Sequence, residues 1–488
     1  MLTQAGAVAM VTVFGAAMVG ASLANRGDSG RLGSFLVANR SVGTVTGALS
    51  VAGTWIWAPA LFIAAQKAFQ QGLAGAFWFT APNVACLVVF AFLAARIRKI
   101  FPQGYTLPQY VAERFGTKSH LAYLFCFLSL QVCSLSVQLI AGAAMLHAAS
   151  GLPYAAGVAL LVIAFTSYAL LDGLRASIRT DVLQVGLIFA GMALLVPRAV
   201  MNAGGMEALA AGLGGITGAH SNIFDPAVAY GFGITVTIGL MSGPVGDQQH
   251  WQRAFAFREG SVVRGYLLGA LVFAMVPLTM SLLGFAAAGN PAAAPAVVAG
   301  QLSAQQVGPE VVRTLLPPWG IVAFTVMILA GLASTGDSAL CAGGSLVSVD
   351  IFQRYVNPLA SERALLRVSR LAVLGMAAGA VAISLIPGIT ILSLFLFYGT
   401  LRSSTLMPTI WMLYRERLPE WGIFWGVALA VLFGLPTYLW GEMSGNVDLK
   451  VIANLGIVVL SGLMPFLSAM TAPASVANNR VRNANGRK

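Results

Sequence analysis

One acid and three hydroxyls lie inside an otherwise apolar run from about Ile321 to Val349, in the stretch Gly331-Leu-Ala-Ser334-Thr335-Gly-Asp337-Ser338. The run is long enough to span a bilayer as a helix. At helical spacing Gly331, Ser334, Thr335 and Ser338 share one face, with Asp337 beside them, one turn from Ser334. A row of oxygens and a carboxylate is the chemistry of a cation site. An ionised acid at membrane depth costs about 3 kcal/mol or more unless a cation, a partner or water meets it. A structural reading also stands: the hydroxyls bond carbonyls of the preceding turn, and Asp337 pairs with an arginine.

The surroundings of that stretch set what it can do. Of 488 residues 58% are hydrophobic and 9% charged, against about 25% charged in an ordinary soluble domain. The chain therefore reads as an all-α polytopic membrane protein with about thirteen apolar segments joined by short connections. The formal charge of +12 is not a nucleic-acid footprint. Most Lys and Arg fall on alternate connections, among them Arg26/Arg31/Arg40, Arg96/Arg98/Lys99/Arg114/Lys118, Arg253/Arg258/Arg264, Arg354/Arg363/Arg367/Arg370 and the tail Arg480 to Lys488. By the positive-inside rule the N-terminus is outside and the C-terminus cytoplasmic, in the plasma (cell inner) membrane. The opening Met1 to Leu23 run lacks a basic n-region and reads as a retained helix. Cys86, Cys126, Cys133 and Cys341 sit in apolar spans without CxxC spacing, and His120, His147, His220 and His250 are scattered. Neither a disulfide framework, nor a metal cluster, nor an enzyme's catalytic group is visible.

Two segments carry breaks. Gly53-Thr54-Trp55-Ile56-Trp57-Ala58-Pro59 interrupts a span from Val45 to Phe69, and Gly231, Gly233, Gly239, Gly243 and Pro244 interrupt Val228 to Val245. Proline removes a backbone donor and glycine adds freedom, so both predict irregular helix. Paired interruptions five segments apart point to an inverted-repeat transporter with its site at the repeat interface. Asp181 follows the turn Asp172 to Thr180 and opens the next helix on this reading, where N-terminal capping and ion binding are equally open to it. Arg402 lies inside an apolar span and either snorkels or pairs with an acid such as Asp337.

Four stretches in order, Ala-Asn-Arg40-Ser-Val-Gly43, Asp172-Gly-Leu-Arg-Ala-Ser-Ile-Arg-Thr-Asp181-Val-Leu-Gln184, Asp247-Gln-Gln-His-Trp-Gln-Arg253, and Ala333 to Ser338 running on to Asp350-Ile-Phe352, resemble the sodium:solute symporter family. Thr54 to Ala58, Lys67 to Gly72 and Gly75 to Phe79 look most like its urea active transporter branch. The resemblance implies a five-plus-five inverted-repeat core with broken first and sixth core helices. It also implies a sodium site made by the carbonyls of Gly53, Ile56 and Gly331 with the hydroxyls of Ser334 and Thr335. Some relatives have a second cation site, which would fall here on Asp181, Asp337 and Ser338; an acid at Asp337 departs from their usual hydroxyl. The domain organisation expected is an accessory helix over 1–24, the transport core over 42–413, two accessory helices over 420–472 and a basic cytoplasmic tail over 473–488.

Trp55, Trp57 and Ser242 are the expected solute contacts, since flat rings and freed backbone suit a small planar amide. The expected function is import of a small polar solute, urea or a similar amide, with Na+ as coupling ion and no organic cofactor. Two other readings remain: H+ carried by Asp337 or Asp181 as the driver, and a transporter-shaped solute sensor. The partners expected are the solute, sodium and the lipid bilayer, with no nucleic acid.

Overall fold

The computed structural model describes residues 2–24, 30–389 and 391–471, so Arg26 and the tail over 473–488 lie outside the described residues. Those described form helices and no β-strand beyond one isolated bridge between Val42 and Phe257. In order the principal helices are α1 (Gln4–Leu23), α2 (Leu32–Val37), α3 (Thr44–Trp55), α4 (Ala58–Ile100), α5 (Leu107–Ser150), α6 (Tyr154–Asp172), α7 (Leu174–Asn202) and α8 (Gly205–Ala211). After these come α9 (Pro226–Met241), α10 (Gln248–Ala256), α11 (Val262–Gly289), α12 (Val307–Leu315), α13 (Pro318–Val356), α14 (Glu362–Ser384), α15 (Ile391–Tyr414), α16 (Glu420–Met443) and α17 (Val447–Thr471).

Ten of these helices are long and apolar enough to cross a membrane, rather than about thirteen. The difference arises at the two interruptions and at α15, which has 24 residues but carries Arg402 and the hydroxyls Ser403, Ser404 and Thr405 in its middle. α3 has 12 residues, about 18 Å of helix, well short of a hydrocarbon core of about 30 Å. Only joined end to end with the start of α4 does it reach span length. Continuous helix also hides a corner: within α4, Gln71 and Gly72 leave helical geometry, Gly72 at φ +54°. A side chain at Gly72 would collide with Leu213 O, 2.3 Å from the β-carbon position, and the carbonyl of Phe69 is taken by Ile216 N at 2.8 Å.

Close packing holds the breaks in register. α11 lies against both α3 and α4, and α13 against α5 and α7. Small residues permit the approach, as in membrane bundles generally: a β-carbon on Gly284 of α11 would stand 2.1 Å from Ala65 O of α4. At the first break Ile56 and Trp57 leave the helix, and the freed N–H of Ala58 is met by Gln138 Oε1 of α5 at 3.0 Å. The second break runs from Ser242 to Asp247, whose side chain caps α10 by accepting from Gln249 N at 3.0 Å.

Candidate functional site

The first break meets α13 at the oxygen-lined face. Thr335 Oγ1 lies 3.1 Å from Thr54 O and 3.5 Å from Ile56 O. A β-carbon on Gly331 would stand 3.2 Å from Ile56 O, and one on Gly53 would stand 2.7 Å from Ser334 Oγ. Gly53, Ile56, Gly331, Ser334 and Thr335 are thus one buried cluster. Oxygens spaced in this way suit a hard cation with bonds of roughly 2.3–2.6 Å, and an unwound helix is what frees the carbonyls for it. Thr54 O, absent from the sequence expectation, is the carbonyl nearest the Thr335 hydroxyl. No pattern in one dimension distinguishes it from Gly53 O, because the two differ only in which way the unwinding backbone turns.

Asp181 closes the cluster from α7. Helix α7 begins at Leu174 on Gly173, so Asp181 sits two turns inside it and does not cap it. The side chain is fully buried, and its Oδ1 accepts from Ser334 Oγ. Its Oδ2 accepts from Ser50 Oγ at 2.5 Å and from Arg253 Nη2 at 3.0 Å. Arg253 is not the connection residue that the charge pattern made it. It is 1% exposed and also donates to Ser338 Oγ at 2.7 Å, Ser177 Oγ at 3.2 Å and, through Nε, Ser50 Oγ at 2.9 Å. The physical reason is the early start of α10, whose first two turns carry Arg253 back into the bundle.

Asp337 stands on the same face with a different set of partners. Its Oδ1 accepts from Ser177 Oγ at 2.5 Å and from Ser338 Oγ at 3.3 Å, while Oδ2 is buried with no hydrogen-bond partner among the described residues. Arg402 does not answer it. The structure therefore brings Asp181, Asp337 and Ser338 together, with a guanidinium in their midst.

Beside this group the two tryptophans stack, with ring centroids 5.3 Å apart and planes 21° from parallel. Trp55 donates from Nε1 to Asn83 O at 3.1 Å. The Arg402 guanidinium lies 5.7, 5.1 and 4.3 Å from the ring centres of Trp55, Trp57 and Tyr398. It does not snorkel, being 2% exposed, and among the described residues it meets no acid and is held by cation–π contact. Ser242 Oγ donates within its own helix and lies 2.9 Å from Ser403 Oγ, next to Arg402. Gly243 brings the second break against the same rings, since a β-carbon there would stand 2.4 Å from Trp55 Cη2. All three expected solute contacts thus border one region between the two breaks.

The sequence pattern of the sodium:solute symporter family matches residues 35–430. The chain belongs to that family. Members of this symporter family named among its relatives are transporters, not enzymes. The urea-proton symporter DUR3 of Oryza sativa subsp. japonica is 27% identical over 439 residues, covering 83% of this chain and 60% of that protein. The urea active transporter of Saccharomyces cerevisiae is 25% identical over 399 residues, covering 77% and 54%. The chain thus spans little more than half the length of these two relatives. The sodium/pantothenate symporter of Escherichia coli is 25% identical over 450 residues, covering 87% and 88%. In fold the chain matches a Na+-coupled sialic acid symporter in a substrate-bound outward-open state with a TM-score of 0.78 at 16% identity, covering 94% of this chain and 98% of that one. The architecture is that of the broken-helix transporters, and the protein is a multi-pass membrane protein.

Proposed function

We propose that this protein is a secondary active symporter that imports a small polar solute, urea or a similar amide, on the sodium gradient. The observation that carries the reading is the meeting of Thr335 Oγ1 with the Thr54 and Ile56 carbonyls at the first break. The two proteins named above for urea support the solute class, and the sodium/pantothenate symporter supports the ion. Sodium bound by Gly53, Thr54, Ile56, Gly331, Ser334 and Thr335 ties the first broken helix to α13. A solute on Trp55 and Trp57, which belong to the same break, then binds a helix already held. Each ion moved down 100 mV supplies about 2.3 kcal/mol. The membrane is the plasma membrane, with the N-terminus outside, the C-terminus cytoplasmic and the basic tail over 473–488 on that inner face.

The second-site residues carry a second reading. A cation is already built in where Asp181 and Ser338 converge, because Arg253 Nη2 bonds both. The chain therefore moves one sodium and keeps a tethered guanidinium in place of another. Asp337, with Oδ2 unpartnered, is the acid left to carry a proton, in keeping with the relative named a urea-proton symporter.

Counterflow of labelled urea in proteoliposomes, with and without sodium and at two pH values, tests both. Sodium-stimulated exchange supports the leading reading, and exchange driven by pH alone favours Asp337. If neither urea nor acetamide exchanges under any of these conditions, the solute assignment is wrong. Replacing Trp55 or Trp57 by Ala should weaken solute binding more than sodium binding, and wild-type behaviour in both variants would remove them from the site.

A further inference from the structure

Among the described residues, buried polar atoms without partners lie at the tryptophan pair and around Asp247, and they are of two kinds. On the donor side are Arg402 Nε and Nη1 and Trp57 Nε1; on the acceptor side are Gln131 Oε1, Gln249 Oε1 and Asn83 Oδ1. A buried donor or acceptor left unmet is costly, and a buried charge more so. Among the described residues no carboxylate lies within ion-pairing distance of Arg402.

The two kinds are connected through the second break. Gly246 packs on Arg402, since a β-carbon there would stand 2.7 Å from Arg402 Cα, and the next residue is Asp247. Asp247 draws in the amide nitrogens of both glutamines: Gln131 Nε2 donates to its Oδ1 at 3.1 Å and Gln249 Nε2 to its Oδ2 at 3.3 Å. Each glutamine thereby has its amide oxygen left over. Asp247 and Arg402 also cancel in charge, so a neutral solute adds no net charge to the buried region, whereas a carboxylate or a cation would.

Resting on the solute-transport reading above, we propose that Arg402 is the solute's anchor: its N–H groups hold a carbonyl oxygen while the amide oxygens of Gln131 and Gln249 take the solute's N–H groups. The solute class is then a neutral planar urea or carboxamide, lying along the tryptophan rings. Asp247 is a positioning residue that turns both glutamines to present oxygen. A guanidinium also repels cations of the same shape, so Arg402 separates urea from guanidinium ion.

The test uses the full chain in nanodiscs at saturating sodium, with labelled urea read by equilibrium dialysis. On the wild-type chain acetamide should compete with urea, whereas guanidinium should not compete at up to a hundredfold excess. Arg402→Gln should weaken urea about ten- to a hundredfold, as loss of a charged hydrogen bond does, and Arg402→Lys should recover part of that loss. Sodium-induced thermal stabilisation, read on each variant, shows that it is folded. Urea binding by Arg402→Gln within threefold of wild type overturns the proposal. So does guanidinium competing as well as acetamide, an arm that needs no variant to fold, and so does the absence of urea and acetamide binding by the wild-type chain. Urea binding that ignores sodium while still depending on Arg402 would refute sodium coupling alone and leave the anchor standing.

Discussion

Arg253 and Asp181 form an ion pair, Nη2 to Oδ2 at 3.0 Å, in which the side chains are 2% and 0% exposed. A charge pair so buried survives because its remaining atoms are also met: Ser50, Ser177, Ser338 and Ser334 supply hydroxyls on every side. Such pairs are weak evidence of stability, but losing one partner is severe, at about 3–5 kcal/mol.

From that pair follows a prediction about ion number. Arg253→Gln keeps hydrogen bonding but removes the charge beside Asp181 and Asp337. If the guanidinium stands in for an ion, the sodium dependence of solute uptake should rise from first order toward second order. Equilibrium binding of radioactive sodium should rise from one ion per chain toward two. A folded variant whose order and stoichiometry both stay at one would refute the tethered-cation reading.

Thr335→Val preserves shape and deletes one of the oxygens around Thr54 O and Ile56 O, which a dry interior does not readily replace. Sodium affinity should fall about tenfold. Because ion and solute binding are linked, solute affinity at fixed sodium should fall with it and recover as sodium is raised. Uptake indifferent to sodium in both wild type and variant would remove the sodium site from this face.

Asp337→Asn separates the two drivers. If Asp337 is the proton carrier, uptake in the variant should no longer respond to an imposed pH gradient, while its sodium dependence stays as in wild type. Isotope uptake at two pH values across a range of sodium concentrations gives the answer, and an unchanged response to the gradient would exclude Asp337 as the carrier.

Cysteines introduced beside Lys118 and Arg363 should resist impermeant maleimides in right-side-out vesicles, and one beside Lys450 should label. This follows from the alternation of basic connections. Labelling at all three positions would reverse or break the proposed topology.

Much of the protein was legible along the chain because the bilayer imposes one-dimensional rules. Apolar run length marks spans, alternating Arg and Lys suggest sides, and Gly or Pro inside a run marks a break. Hence the two breaks and the face shared by Gly331, Ser334, Thr335 and Ser338 follow from the pattern, whereas joining Gly53 and Ile56 to that face rests on the resemblance to the symporter family. Partner choice is another matter, because it depends on where helices start and how they cross. Arg253 reads as a connection arginine until α10, beginning at Gln248, turns it inward onto Asp181. Asp181 is as open to capping as to ion binding until α7 is seen to begin at Leu174, which removes the cap. Arg402 and Asp337 are both charged residues in apolar spans, which makes them natural partners on paper. Packing instead sets Arg402 over Trp55, Trp57 and Tyr398 and gives Asp337 to Ser177. Hydrophobic pattern constrains which faces are buried; only the three-dimensional crossing of those faces decides which buried charge meets which oxygen.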